Sequence, residues 1–402
     1  MNYTRTKYAC FLTSFSTAIT CNLSPLLFLI FREIFGLSYT LLGLLVLINF
    51  GTQLIFDLLF SFYSHKFNLA LCVKLTPVFI VLGLIIYSVL PALLPGAAYA
   101  GLVIGTVIFS MGSGLSEVLT SPTVAAIPDK NADRLMSRLH SCYAWGVVFT
   151  VAVCTVFLRL AGTDAWYWLA LLLSLLPLVA SLLFIGAPIP TLETQEKTSA
   201  AVGLFKNKVI PLGVLAIFLG GATECTMSQW CSSYLEKAFG LDKTIGDLCG
   251  VALFGVMLGL GRSLYGKYGK KVIRFLLAGS AGAIVCYAVA AFSPWPLAGV
   301  IACAMTGLCA SLLWPGTLTE ISDRVPDGGV TMYALLAAGG DMGASLVPQA
   351  VGVITDLVIA THALDSLGLP AEQLGMKAGM AFGLLCPICA FFVFLKLYKM
   401  KK

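Results

Sequence analysis

The chain has 402 residues, 59% of them hydrophobic and 11% charged, with a formal net charge of +6. A soluble domain carries about 25% charged residues, so a string of soluble domains is excluded and a polytopic membrane protein is predicted. The excess of positive charge is then a matter of membrane orientation and not a nucleic-acid signal, and the 13 cysteines, nearly all in apolar stretches, read as small membrane hydrophobes and not as a disulfide framework.

Taken in order, apolar length places twelve spans at about 8–31, 38–63, 69–90, 97–127, 138–160, 166–186, 209–232, 244–265, 272–291, 297–319, 330–359 and 378–397. The basic start (Arg5, Lys7) runs into the first span without a convincing cleavage site, so that span is read as retained. Most connections are short. The longest, 187–208, turns polar and charged, with Pro188, Pro190, Thr194, Glu196, Lys197 and Lys206. The expected organisation is a six-helix bundle over 1–186, a central cytoplasmic loop over 187–208 and a second six-helix bundle over 209–402.

Charge sets the orientation. With the N-terminus inside, only Arg32, Arg159, Lys237, Lys243 and Lys377 fall outside, which leaves 20 of the 25 Lys and Arg on the inner side. Such a bias predicts both termini in the cytoplasm, in a plasma (inner) membrane. Trp166, Tyr167, Trp168 and Trp295 fall at outer span ends, where amphipathic rings prefer to lie.

The two halves repeat. Phe35-Gly36-Leu37 recurs as Phe239-Gly240-Leu241, and Phe50-Gly51 as Phe254-Gly255; in spans four and ten, Gly114 and Pro122 match Gly307 and Pro315. Paired six-span repeats are a transporter signature.

Span four holds the costliest residue. Gly112-Ser-Gly114-Leu-Ser-Glu117-Val-Leu-Thr-Ser121-Pro122 sets a glutamate inside an apolar segment, and a charge at a helix centre costs roughly 2.5–3.5 kcal/mol on insertion scales. Ser110, Ser113, Glu117 and Ser121 share a helical face, which predicts a polar face turned towards a wet cavity, with Pro122 bending the helix. Asn49, Gln53 and Asp57 recur every fourth residue of span two, either lining the path or hydrogen-bonding between helices. Glu224 in span seven and Asp341, followed by Gln349, in span eleven are further intramembrane candidates. For Asp341 the structural alternative is a salt bridge to Arg262 or Arg324. Trp145, Trp230 and Trp314 offer rings on which a sugar could stack, or else they pack. His140 reads as a cap or packing residue, Arg134 and Arg138 as a solvated loop, and Cys386-Pro-Ile-Cys389 as a redox spacing without a redox setting. No nucleotide-binding loop, zinc pattern or nucleophile elbow is present, so no metal, cofactor or enzymatic reaction is expected.

Six plus six spans about a central loop resemble the major facilitator superfamily. That family's motif after span two is degenerate here, Ser61-Phe-Tyr-Ser-His65-Lys66; its counterpart Gly259-Leu-Gly261-Arg262…Gly266-Lys-Tyr-Gly269-Lys270-Lys271 is better kept. The resemblance implies a gating role for Arg262 and a similar contribution from Asp57. Within the superfamily, span four resembles the fucose–proton symporters, whose Gly-x-Gly-x-x-Glu-x-x-x-Asn-Pro is matched with Ser121 in place of Asn. Leu139-His140…Gly146 resembles a span-five pattern of that family, with one extra residue. This resemblance implies that Glu117 is a proton-coupled, sugar-binding carboxylate. The family's second such carboxylate, in span one, has no counterpart among Thr13, Thr17, Thr20, Asn22 and Ser24.

The expected function is secondary transport of a small polar solute, a sugar or sugar derivative symported with protons by a monomer in the lipid bilayer. Drug or metabolite efflux, a non-transporting receptor on the same fold, and lipid handling stay open as alternatives. The topology is testable. Single cysteines replacing Thr194 and Ser366 in cysteine-free protein should be labelled from opposite sides of the membrane; labelling of both from one side would sink the twelve-span reading.

Overall fold

The computed structural model describes residues 2–63, 66–128, 132–192, 207–268, 271–325 and 329–400. His65, Asp129, Lys130, Thr194, Glu196, Lys197, Lys206, Gly269, Lys270 and Lys402 lie outside the described residues, as do the side chains of Asp133, Arg134, His140, Gly266, Lys267 and Tyr333.

The protein is an all-α integral membrane protein, with twelve helices among the described residues long and apolar enough to cross a bilayer. They are α1 Thr4–Phe35, α2 Tyr39–Tyr63, α3 Leu69–Leu93, α4 Ala98–Ala125, α5 Ala132–Ala161, α6 Trp166–Phe184, α7 Val209–Phe239, α8 Lys243–Tyr265, α9 Val272–Phe292, α10 Pro296–Arg324, α11 Gly329–Thr361 and α12 Ala371–Lys399. Apolar windows find every one, but several run further. α7 continues past Glu236 and Lys237 because a helix need not stop where the hydrocarbon does. It ends where Gly240 takes φ +67°, with its amide on the Glu236 carbonyl. α1 ends the same way, at Gly36 with φ +65°. The Phe-Gly-Leu repeat is therefore one helix stop used twice, at a backbone conformation that favours glycine.

Three spans are not uniform. α8 opens with a wide π turn over Gly246–Ala252. α10 loosens at Ser311–Trp314 and restarts at Pro315, whereas Pro122 falls in the last turn of α4, which continues to Ala125. α12 breaks at Leu384.

Two compact units emerge, Met1–Phe35 with Ile48–Thr198, and Gly36–Leu47 with Ser199–Lys402. In the first, α1 packs on α4, α5 and α6, and α3 on α4 and α6. Trp166 belongs to this core and not to an interfacial belt: it is 3% exposed and meets Phe31 edge-on at 5.0 Å, while Trp168 and Trp295 are exposed. In the second unit α7 packs on α10, α11 and α12, and α9 on α10 and α12.

The outer end of α2 clusters with the second unit through Asp356 of α11. Its two carboxylate oxygens accept from the Tyr39 and Thr40 amides at 3.1 and 2.6 Å, while Ser38 Oγ takes the Leu41 amide at 3.2 Å. The first amides of a helix have no partner within it and favour negative charge. Asp356→Ala should cost about 1–2 kcal/mol, the range of a lost helix cap, and lower the thermal midpoint by a few degrees, with Asp356→Asn in between. An alanine variant that melts like the parent would show that this cap contributes nothing.

Candidate functional site

In the first unit the polar side chains of α1, α2, α4 and α5 gather on one side. Asn49 Nδ2 donates to the Thr20 carbonyl at 3.1 Å. Its Oδ1 accepts from Ser110 Oγ at 2.7 Å and from Gln53 Nε2 at 2.9 Å. Thr20 and Ser113 share a hydroxyl–hydroxyl bond of 2.6 Å. Cys21 lies among Thr20, Gln53, Tyr143 and Glu117. α4 reaches α2 this closely because Gly114 has no side chain: a Cβ there would stand 3.0 Å from the Gln53 Cα. Its repeat partner Gly307 does the same in the second unit, where a Cβ would strike the Phe254 carbonyl.

Asn49 and Gln53 are thus buried in an inter-helix network that uses their amides, which favours the structural of the two readings for them. One turn further along α2, Asp57 is 5% exposed, and one of its carboxylate oxygens lies within 4.8 Å of one from Glu117. Glu117 itself is exposed although it sits well inside the 28-residue α4. Of the serine–glutamate face predicted from spacing, Ser110 and Ser113 are buried in this network, while the Glu117 side chain is exposed. Two carboxylates this close repel when both are ionised, so the pair is suited to holding one proton between them.

In the second unit Glu224 of α7 faces Arg262 of α8. The guanidinium Nη2 stands 3.3 and 3.5 Å from the two Glu224 oxygens, and Nε donates to the Ser311 carbonyl at 3.1 Å, where α10 loosens. Arg324 pairs instead with Glu320 at 2.7 Å. Asp341 is therefore tied to neither arginine, which corrects the salt-bridge alternative for it; it is buried on α11 directly after Gly339-Gly340. Gln349 is half-buried on the same helix, its Oε1 facing Gly43 at a distance that a Cβ there would shrink to 2.9 Å.

The three tryptophans do different things. Trp230 is fully buried, its Nε1 on the Pro348 carbonyl at 2.9 Å and its ring 6.2 Å from Tyr39. It satisfies a carbonyl at the α11 proline and has no free face for a sugar. Trp314 lies half-buried over Gly221 and Gly340, whose missing side chains make room for it. Trp145 is 68% exposed. It stands two residues from Tyr143, and residues two apart on a helix point in roughly opposite directions, so it faces away from the Cys21 cluster. All 13 cysteines are free; Cys386 is buried and Cys389 exposed.

Sequence reasoning missed Asp356, the Ser311 carbonyl under Arg262, and Asp247. The last is 1% exposed within the π turn, paired with Lys243 at 3.2 Å and bonded to Ser232. The four-residue spacing of Lys243 and Asp247, and of Glu320 and Arg324, was a readable signal for both pairs.

A sequence model of the Major Facilitator Superfamily matches residues 9–348. The chain belongs to the major facilitator superfamily. Comparison with curated proteins finds no match. Solved structures of similar fold include a D-xylose–proton symporter, at 16% identity and TM-score 0.76, with 97% of this chain and 98% of that one covered. A bacterial homologue of the human lysosomal transporter Spinster follows at 13% and 0.74, covering 98% and 97%. The fucose–proton symporter FucP of E. coli aligns at 17% and 0.61 over the whole of both chains. At such identities the likeness is one of fold, and the protein is a transporter of this superfamily.

Proposed function

We propose that this major facilitator protein is a proton-coupled symporter of a small polar solute, a sugar or sugar derivative. The observation that carries the reading is Glu117: an accessible carboxylate well inside a membrane helix, within 4.8 Å of a second carboxylate, Asp57. An ionisable side chain there is expensive unless it has a task, and a carboxyl pair that takes up one proton supplies the coupling group. The proton relieves the repulsion within the pair, leaving it a single negative charge, solute binds, and both leave on the other side as access alternates. Glu224 and Asp341 take solute hydroxyls or share the proton, with Gln349 and Trp314 beside them. The protein acts as a monomer in a plasma membrane with both termini in the cytoplasm. Sugar and proton names among the fold relatives support the substrate class. The buried acids weigh against a passive receptor, which need not keep them.

Solute is found by a thermal-shift screen of sugars, amino acids, nucleosides and drugs, since a ligand of the native state stabilises it by mass action. Glu117→Gln then tests the coupling. The amide keeps size and hydrogen bonding but fixes the neutral form. In liposomes the variant should still exchange internal for external solute, while proton-driven uptake stops at equilibration. Undiminished accumulation against a gradient would remove Glu117 from the coupling role.

A further inference from the structure

The second unit contains two arginine–glutamate pairs, and they are built differently. Arg324 and Glu320 are a closed pair. Both are at most 5% exposed, they meet at 2.7 Å, and each guanidinium nitrogen has a partner: Nη2 on the Leu397 carbonyl at 2.8 Å, Nη1 on the Met400 carbonyl at 3.4 Å. That is what a structural tie requires, with every buried donor satisfied.

Arg262 and Glu224 are an open pair. The Arg262 side chain is 43% exposed and that of Glu224 16%, within the apolar spans of α8 and α7. Their contacts of 3.3 and 3.5 Å are longer than the roughly 2.7–2.9 Å of a strong charge-assisted bond. The guanidinium plane is nevertheless fixed by Nε on the Ser311 carbonyl. Among the described residues Nη1 makes no hydrogen bond. An arginine held by one edge, loosely countered and reachable, is arranged to take a second, planar anion.

We propose that Arg262 and Glu224 form a proton-gated anion site, and that the transported solute carries a carboxylate. The inference rests on the transporter reading above and narrows its solute from a polar sugar to a sugar acid. It also gives Arg262 a binding role in place of the gating role implied by resemblance. When Glu224 takes up a proton, its hold on Arg262 is lost and the guanidinium is left without a counter-charge. The carboxylate of the solute replaces it. The site is neutral before and after, so solute anion and proton enter together without a change of charge.

The other buried charges of this unit, Asp341 apart, are engaged elsewhere. Arg262 is the one charged group acting on Glu224 among the described residues. On the other packed elements, Asp247 is paired with Lys243, Glu320 with Arg324, Lys377 of α12 donates to the Ser293 carbonyl, and Asp341 follows Gly340 on α11. A single guanidinium suits a monoanionic carboxylate; a doubly charged phosphate would call for a second cation.

The test is equilibrium binding to the purified full-length protein of D-glucuronate, D-glucose and inorganic phosphate, at about pH 5.5 and about pH 8, the window over which a proton-gated site must change its affinity. Glucuronate should bind the parent at least about tenfold more tightly at the acid pH, and more tightly than glucose or phosphate. Glu224→Gln should bind it at both values with the acid affinity. Arg262→Ala/Glu224→Gln, which leaves no unpaired charge, should melt near the parent and lose the preference for glucuronate over glucose. Glucose binding without glucuronate binding would overturn this inference and leave the symporter proposal standing. Tighter phosphate binding would overturn the carboxylate assignment. Unaltered pH dependence in Glu224→Gln, or no glucuronate binding at either pH, would overturn the proton gate. Glucuronate binding that follows the pattern, with full accumulation by Glu117→Gln, would uphold it and remove only the role given to Glu117.

Discussion

Charge inside hydrocarbon must be paired, hydrogen-bonded or wetted, and that one constraint sorts the interior of this protein. Glu320 with Arg324 is a sealed pair, and Asp247 is buried against a Lys243 that is 23% exposed. They cost little because each charge has its partner, and they tie helices together. Glu117 and the Arg262–Glu224 pair are left reachable. A membrane protein that needed only to fold would close or omit such groups, because each open one invites water into the bundle. Their openness points to chemistry with something mobile: a proton, a solute or both.

The repeat shows how one scaffold holds two chemistries. Gly36 and Gly240 stop α1 and α7 with the same positive φ, and Gly114 and Gly307 let α4 and α10 close on α2 and α8. The polar groups placed on these matched frames differ. In the first unit α2 and α4 bring two carboxylates together; in the second, α8 brings an arginine to the backbone of α10 and to a glutamate of α7. A duplicated backbone thus carries an acid pair on one side of the duplication and a cation on the other.

Much of this was legible in the sequence. Apolar length placed all twelve spans, because the bilayer demands it regardless of packing. Helical spacing placed Ser110, Ser113 and Glu117 on one face, and Asn49, Gln53 and Asp57 on another. What spacing could not supply was the partner across the gap. Asn49 and Gln53 spend their amides on Thr20, Ser110 and one another, and Trp230 spends its indole N–H on the Pro348 carbonyl; those partners lie far off in sequence. The π turn at Gly246–Ala252 left no clear compositional mark, whereas the loosening at Ser311–Trp314 is marked by Pro315, whose missing N–H leaves the Ser311 carbonyl free to orient Arg262. Asp356 carries no sequence signal for its role, which rests on the Tyr39 and Thr40 amides that it accepts.

The central claim is that Glu117 stands on a water-filled path and not on a sealed helix contact. A cysteine in its place, in a protein otherwise free of cysteine, reports this directly through reaction with a membrane-impermeant maleimide in sealed vesicles. The account predicts labelling at position 117 in the folded protein, and none at a cysteine replacing Leu102, which is fully buried on the same helix. A cysteine at 117 that reacts only after denaturation would contradict it.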